Sequence, residues 1–141
     1  MNLKPLAQNI SRNSMTIKKK RYRTEIGEKL KTNANRRKIA APHKAAEYRD
    51  WYYNAEKKCH YCGYDNETIN AYLKQKGEKL PVNSKRLQIE RIDSAKGYLL
   101  NNITLACYIC NTHKSDIISH KDFKEIAKDF IIPKIKKELK L

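Results

Sequence analysis

The sequence predicts an α+β protein: a small cysteine-stapled core of two short strands and a helix, with flanking helices and a basic N-terminal arm. Three observations carry this. Four cysteines fall in two identical CxxC pairs, Cys59/Cys62 and Cys107/Cys110, with 44 residues between them. The stretch before the second pair alternates apolar and polar residues on either side of a glycine turn, and then changes to helical spacing. Charge gathers at one end: of a formal +16 over 141 residues, residues 1–44 hold 13 Lys/Arg against Glu25 and Glu28, a net of +11.

The basic arm is assigned to residues 1–42 and the folded domain to residues 43–141. The arm has helix-compatible stretches but few large apolar residues, so partial disorder without a partner is expected. Its charge blocks, Lys18, Lys19, Lys20, Arg21 and Arg23, then Arg36, Arg37 and Lys38, suit phosphate contact, because each neutralised phosphate releases counterions. A solubilising tail is the ordinary alternative. Residues 43–58 are rich in helix formers, with Ala46, Tyr48, Trp51, Tyr52 and Ala55 near 3–4 spacing, and should supply an aromatic wall. A second helix spans 67–77 and ends at Gly77. Residues 86–93 read as a strand that packs Leu87, Ile89 and Ile92; Gly97 marks the turn, 102–106 the returning strand and 108–116 a helix. Ser119 with Asp122 resembles an N-cap opening a last helix whose Phe123, Ile126, Ala127 and Phe130 share one side, with Pro133 a kink or restart.

The charge balance favours a nucleic-acid partner over a small neutral metabolite. With no run of 18 apolar residues and no apolar stretch at the start, a soluble, cytoplasmic protein with no membrane partner is expected. In that compartment four cysteines are metal ligands before they are disulfides. Two CxxC turns supply four thiolates, enough for a closed tetrahedral zinc shell, and a thin basic core needs that binding energy. The intervening 44 residues are longer than a zinc ribbon requires, so the knuckles hold something between them. That is the hairpin, with Glu90 on its first strand and Asn111 directly after Cys110.

The run ERIDSAKGYLLNNITLACYICNTHKSD with the upstream CHYC resembles the HNH, or ββα-metal, endonucleases over roughly residues 57–122. The resemblance implies a zinc-stapled ββα-metal (HNH) core and a divalent-metal-dependent endonuclease that cuts double-stranded DNA to a 5′ phosphate and a 3′ hydroxyl. It further implies that Glu90 and Asn111 hold the catalytic metal, magnesium by default with manganese a substitute, and that Asn102 braces the loop. No small-molecule cofactor is implied. Where the family pattern has its general-base histidine this chain has Arg91, which cannot accept a proton. One rare-cutting, homodimeric restriction member shares that substitution and uses a tyrosine inside its upstream CxxC, matched here by Tyr61. His43 is the first helper for that phenol, with His60 next, and Arg91 becomes a phosphate clamp. A type II restriction-like homodimer, bacterial or phage-encoded, follows from the likeness; a phage or intron-associated homing-type enzyme and a non-catalytic zinc DNA-binding module are the alternatives.

Each residue also has an ordinary reading that the sequence leaves open. Glu90 pairs with a neighbouring lysine, Asn111 satisfies a helix start, Tyr61 packs on the zinc knuckle, and His43 is a surface histidine. His113 and Lys114 are assigned to the DNA backbone, and His120 only to a helix start.

Overall fold

A computed structural model describes residues 25–77 and 79–141, which divide into two compact units, one ending at Asn54 and the other running from Ala55 to Leu141. The division falls downstream of residue 42, and residues 43–54 group with the arm's described part. Lys18, Lys19, Lys20, Arg21 and Arg23 lie outside the described residues.

In the first unit, helix α1 covers 25–36 and helix α2 covers Ala45–Asn54. The arm's helix-compatible stretch at 25–36 is thus a packed helix, joined to α2 by a non-helical segment over 37–44. The reason is small-residue packing, which a search for large apolar side chains misses. A Cβ on Gly27 would sit 2.0 Å from the Ala45 carbonyl oxygen, so the two backbones meet where only hydrogen fits. Ile26 and Ala34 are buried on α1, and Tyr48 and Tyr52 on α2. The Lys31 ammonium donates to the Ala41 and His43 carbonyls at 3.1 and 2.6 Å, spending one arm charge on the connection. Helix α2 stops short of residue 58, because the chain bends at 55–58 into the first cysteine pair.

The second unit opens its helix α3, Asn66–Gln75, at Asp65, whose carboxylate accepts from the Thr68 N–H at 2.8 Å. Gly77, at φ +72, follows its end. Strand β1, Gln88–Arg91, pairs antiparallel with β2, Ile103–Ala106, with Glu90 opposite Thr104 and Arg91 opposite Ile103. Helix α4, Tyr108–Lys114, follows at once and packs on β1. This is the expected strand, loop, strand, helix order. The burial along β1 differs from expectation: Leu87 is buried, but Ile89 and Ile92 are only half-buried, while Glu90 and Arg91 are each 8% exposed. A two-strand sheet with a helix on one side encloses that side, and here it encloses charges.

Ser119 caps helix α5, His120–Ile126, by accepting from the Asp122 N–H at 3.1 Å. The helix continues through a π-helical stretch, Ala127–Ile131, into α6, Ile132–Leu139. Pro133 explains the widened stretch, since its ring would strike the carbonyl four residues back and it has no N–H to donate. The extra residue shifts the helical phase. Phe123 and Ala127 are buried as expected, but Phe130 is turned out to 71% exposure and Ile135 takes the inner face. Helices α3 and α6 pack together, with Lys76 and Glu138 paired at 2.8 Å. No helix among the described residues is long and apolar enough to cross a membrane.

Replacing glycine by alanine inside a helix normally adds about 1 kcal/mol of stability. Gly27→Ala should do the opposite here, lowering the thermal midpoint and detaching α1 from α2, measured by calorimetry and by amide exchange over residues 25–54. An unchanged or raised midpoint would contradict the close packing at Ala45.

Candidate active site

The first cysteine turn is closed by a hydrogen bond from the Gly63 N–H to the Cys59 carbonyl, 2.9 Å, with Gly63 at φ +77. It is fastened to the hairpin by the His60 N–H, which donates to the Leu105 carbonyl of β2 at 2.8 Å. Cys107 is the N-cap of α4, its sulfur accepting from the Cys110 N–H at 3.4 Å. All four sulfurs are buried and lie within 4.8 Å of one another, with Cys62 and Cys107 Sγ 3.9 Å apart. Zn–S bonds of about 2.3 Å in a tetrahedron separate sulfurs by about 3.8 Å, so the donor set and spacing fit zinc. The electrostatics agree. Hydrogen bonds from Cys107, Cys110 and Cys62 hold the Cys59 thiol below its ordinary range, while its neighbours, Cys107 first, push Cys110 up. Four clustered thiols cannot all ionise unaided; a central dication lets them.

Asn102 sits directly under the hairpin loop. Its Oδ1 accepts from the Asp93 N–H at 3.0 Å, and its Nδ2 donates to the carbonyls of Asp93 and Gly97 at 3.1 and 2.9 Å. One side chain satisfies three backbone groups, and β1 therefore ends with its acid in a fixed direction. Glu90 Oε1 meets the Lys114 ammonium at 3.1 Å, with Lys114 only 2% exposed. Glu90 Oε2 is buried and has no protein partner, as is Tyr61 Oη. The two groups weigh on each other as hydrogen-bonding neighbours, although neither oxygen meets strict hydrogen-bond geometry. Burial, then the Glu90 charge, raises the Tyr61 phenol well above its ordinary value. Burial likewise raises Glu90, against the opposing pull of Tyr61 and Lys114. Asn111 lies about one helical turn before Lys114 on α4 and is half-buried.

The Tyr61 ring packs edge-on to Phe123, His60 and His120, with centroids 5.1, 5.2 and 5.8 Å away. The His60 and His120 rings stack at 4.8 Å. Burial, then the Lys124 charge, lowers both imidazoles. His60 Nε2 and His120 Nδ1 are buried without protein partners.

The assigned residues have the following surroundings, and Lys114 departs from its expected one. Lys114, read as a phosphate contact, is enclosed against Glu90, because its helix position faces β1 rather than solvent. Arg91, read as a clamp, is held by the loop: it donates to the Ser94 and Lys96 carbonyls, pairs with Asp116 at 3.2 Å and lies over the Tyr98 ring. His43 belongs to the first unit, where its Nδ1 meets Glu47 Oε2 at 3.1 Å and its ring abuts Tyr48. His113 is exposed, its Nδ1 2.7 Å from the Ile109 carbonyl. Arg36, Arg37 and Lys38 are exposed at the end of α1. His120, read only as a helix start, is part of the Tyr61 cluster; its place three residues before the buried Phe123 is the signal that could have shown it.

Two outcomes follow for the isolated protein. Stripping the metal with a strong zinc chelator, or Cys110→Ser, should abolish the second unit's cooperative unfolding, since structural zinc contributes about 10–16 kcal/mol against total stabilities of about 5–15 kcal/mol. An unaltered melting curve would contradict the staple. Asn102→Ala should cost about 1–3 kcal/mol in denaturant titration and raise amide exchange at Asp93, whereas Asn102→Ala with wild-type stability would remove the loop brace.

No family profile and no curated protein matches the sequence. In three dimensions the chain is similar to the rare-cutting HNH restriction endonuclease PacI, with a TM-score of 0.63 and 27% identity over 77% of this chain and 75% of that one. That likeness supports a nuclease function with DNA as the partner. Fold and cysteine cluster together mark the chain as resembling the zinc-stapled, restriction-enzyme-like HNH endonucleases.

Proposed function

We propose that the chain is a divalent-metal-dependent endonuclease of double-stranded DNA, acting as a restriction-type homodimer that cuts both strands of a symmetric site. The observation that carries the reading is the buried Glu90 carboxylate at the end of β1, with Oε1 held by Lys114 and Oε2 meeting no strict hydrogen bond beside the Tyr61 phenol. A buried acceptor is costly to leave unmet, so it points to a ligand that arrives from outside. Glu90 Oε2 and the Asn111 side chain fit a hard dication with oxygen ligands and retained waters, magnesium first and manganese as substitute. Such an ion supplies Lewis-acid stabilisation of the phosphate and of the leaving 3′ oxygen.

This chain's own residues do the rest. Asn102 and Arg91 fix the loop that sets Glu90's direction. Tyr61 must first lose the phenolic proton that burial and then the Glu90 charge hold on it, and as a phenolate it takes the proton from the attacking water. His60 and His120, in contact with its ring, are the candidates to receive that phenolic proton. Lys121, Lys124 and Lys128 line an open groove beside His120, together with Glu125 and Asp129, and suit a phosphate backbone. With Arg36, Arg37 and Lys38 they give the protein its affinity for DNA. A bacterial or phage setting fits a restriction role.

Purified zinc-loaded protein should nick and then linearise plasmid DNA with Mg²⁺ or Mn²⁺ and stop with EDTA. Glu90→Ala and Asn111→Ala should lose cutting while retaining DNA binding, and Tyr61→Phe should fall by roughly 10²–10⁴-fold, the usual contribution of a positioned base. Full activity in Tyr61→Phe would move the proton acceptor to a histidine. Binding without cleavage across supercoiled, branched and RNA substrates would make the chain a non-catalytic zinc module.

A further inference from the structure

The charge placement around Glu90 goes beyond this reading and rests on it. Lys114 is buried to 2% exposure, and its ammonium lies 3.1 Å from Glu90 Oε1, while Oε2 of the same carboxylate has no partner. Lysine is among the residues least often fully buried, and an enclosed ammonium is costly unless it answers a charge. The other charges on this face cancel in the same way: Arg91 is paired with Asp116. Asn111 adds a neutral oxygen. Within Glu90–Lys114 and Arg91–Asp116 the charges cancel pair by pair, so Glu90 brings no net charge of its own to the metal position.

One carboxylate already paired with an ammonium, plus one amide, is a weak host for a hard dication, which is commonly held by one or two carboxylates together with substrate phosphates. We infer that Lys114 is a positioning residue that acts as a resident counter-cation: it fixes Glu90 through Oε1 and keeps the DNA-free protein from retaining a divalent ion at Oε2. The missing negative charge comes with the phosphodiester, so ion and DNA occupy the site together. The ammonium stays on Oε1 throughout, and only Oε2 exchanges partners. The arrangement confines metal-dependent chemistry to the complex, and it distinguishes Lys114 from the phosphate-contacting lysines that the rest of the surface provides.

The test is Mn²⁺ binding to zinc-loaded full-length protein, followed by the electron paramagnetic resonance signal of free Mn²⁺. Zinc loading keeps the thiolate cluster's charge constant across variants. The wild type without DNA should show binding no tighter than the order of 1 mM, as expected of a poor oxygen site. Lys114→Gln keeps a hydrogen-bond donor for Glu90 but removes the charge, and it should tighten Mn²⁺ binding by about tenfold or more, because a like charge next to the ion has gone. Lys114→Arg should stay as weak as the wild type, and Lys114→Gln combined with Glu90→Gln should lose the gain. With a short duplex added, the wild type should retain more Mn²⁺ than Glu90→Gln; without DNA the two should match. Tight Mn²⁺ binding by the DNA-free wild type would overturn the inference, as would a folded Lys114→Gln protein with unchanged affinity. A wild type that cuts DNA yet binds Mn²⁺ tightly alone sinks this inference and leaves the nuclease reading standing, so the two fail separately.

Discussion

Four sulfurs drawn from turns 44 residues apart form the fixed point of the second unit. The chain between them, residues 63–106, would close its ends only at an entropic cost, and the thin apolar core offers little to offset it. Gathering the thiolates on one ion supplies that energy, and it also sets geometry. Cys107 is at once a sulfur donor and the N-cap of α4, and the first knuckle is hydrogen-bonded to β2 through His60 and Leu105. The staple therefore determines where α4 lies on β1. Glu90 and Lys114 meet because that helix is anchored at its first residue.

From this constraint comes an enclosure that burial of apolar area alone would not build. The residues most deeply set at the end of β1 are Glu90 and Arg91, and each is answered: Glu90 by Lys114, Arg91 by Asp116 and two loop carbonyls. Buried ion pairs are weak contributors to stability, since desolvation offsets most of their attraction. Their persistence at one spot in a small domain is better understood through chemistry than through folding. The unpartnered oxygens of Glu90 and Tyr61 lie at that same spot.

Much of this was legible in the residues. Metal-type cysteine spacing, the strand-loop-strand-helix order and the Ser119 cap all rest on local patterns, and local patterns survive in sequence; Asn102 as a loop brace came with the family resemblance. What was not legible depends on long-range packing. Nothing in NTHKSD distinguishes an enclosed Lys114 from a solvated one; that is decided by the sheet the helix lands on. The α1–α2 pair is joined by Gly27 against a backbone carbonyl, a feature with no hydrophobic signature. Phe130 was misplaced because a single π-helical stretch before Pro133 changes the phase of everything after it. Strand β1 misled for the opposite reason: alternation pointed to Ile89 and Ile92, and the chain buries its charges instead.

The claim on which the account depends is that all four cysteines bind one ion and so position the strand and helix. Zinc-edge X-ray absorption on the purified protein examines it directly. One zinc per chain with four sulfur neighbours at about 2.3 Å is the predicted spectrum. A shell containing nitrogen or oxygen in place of sulfur, or protein that is folded and carries no zinc, would contradict it.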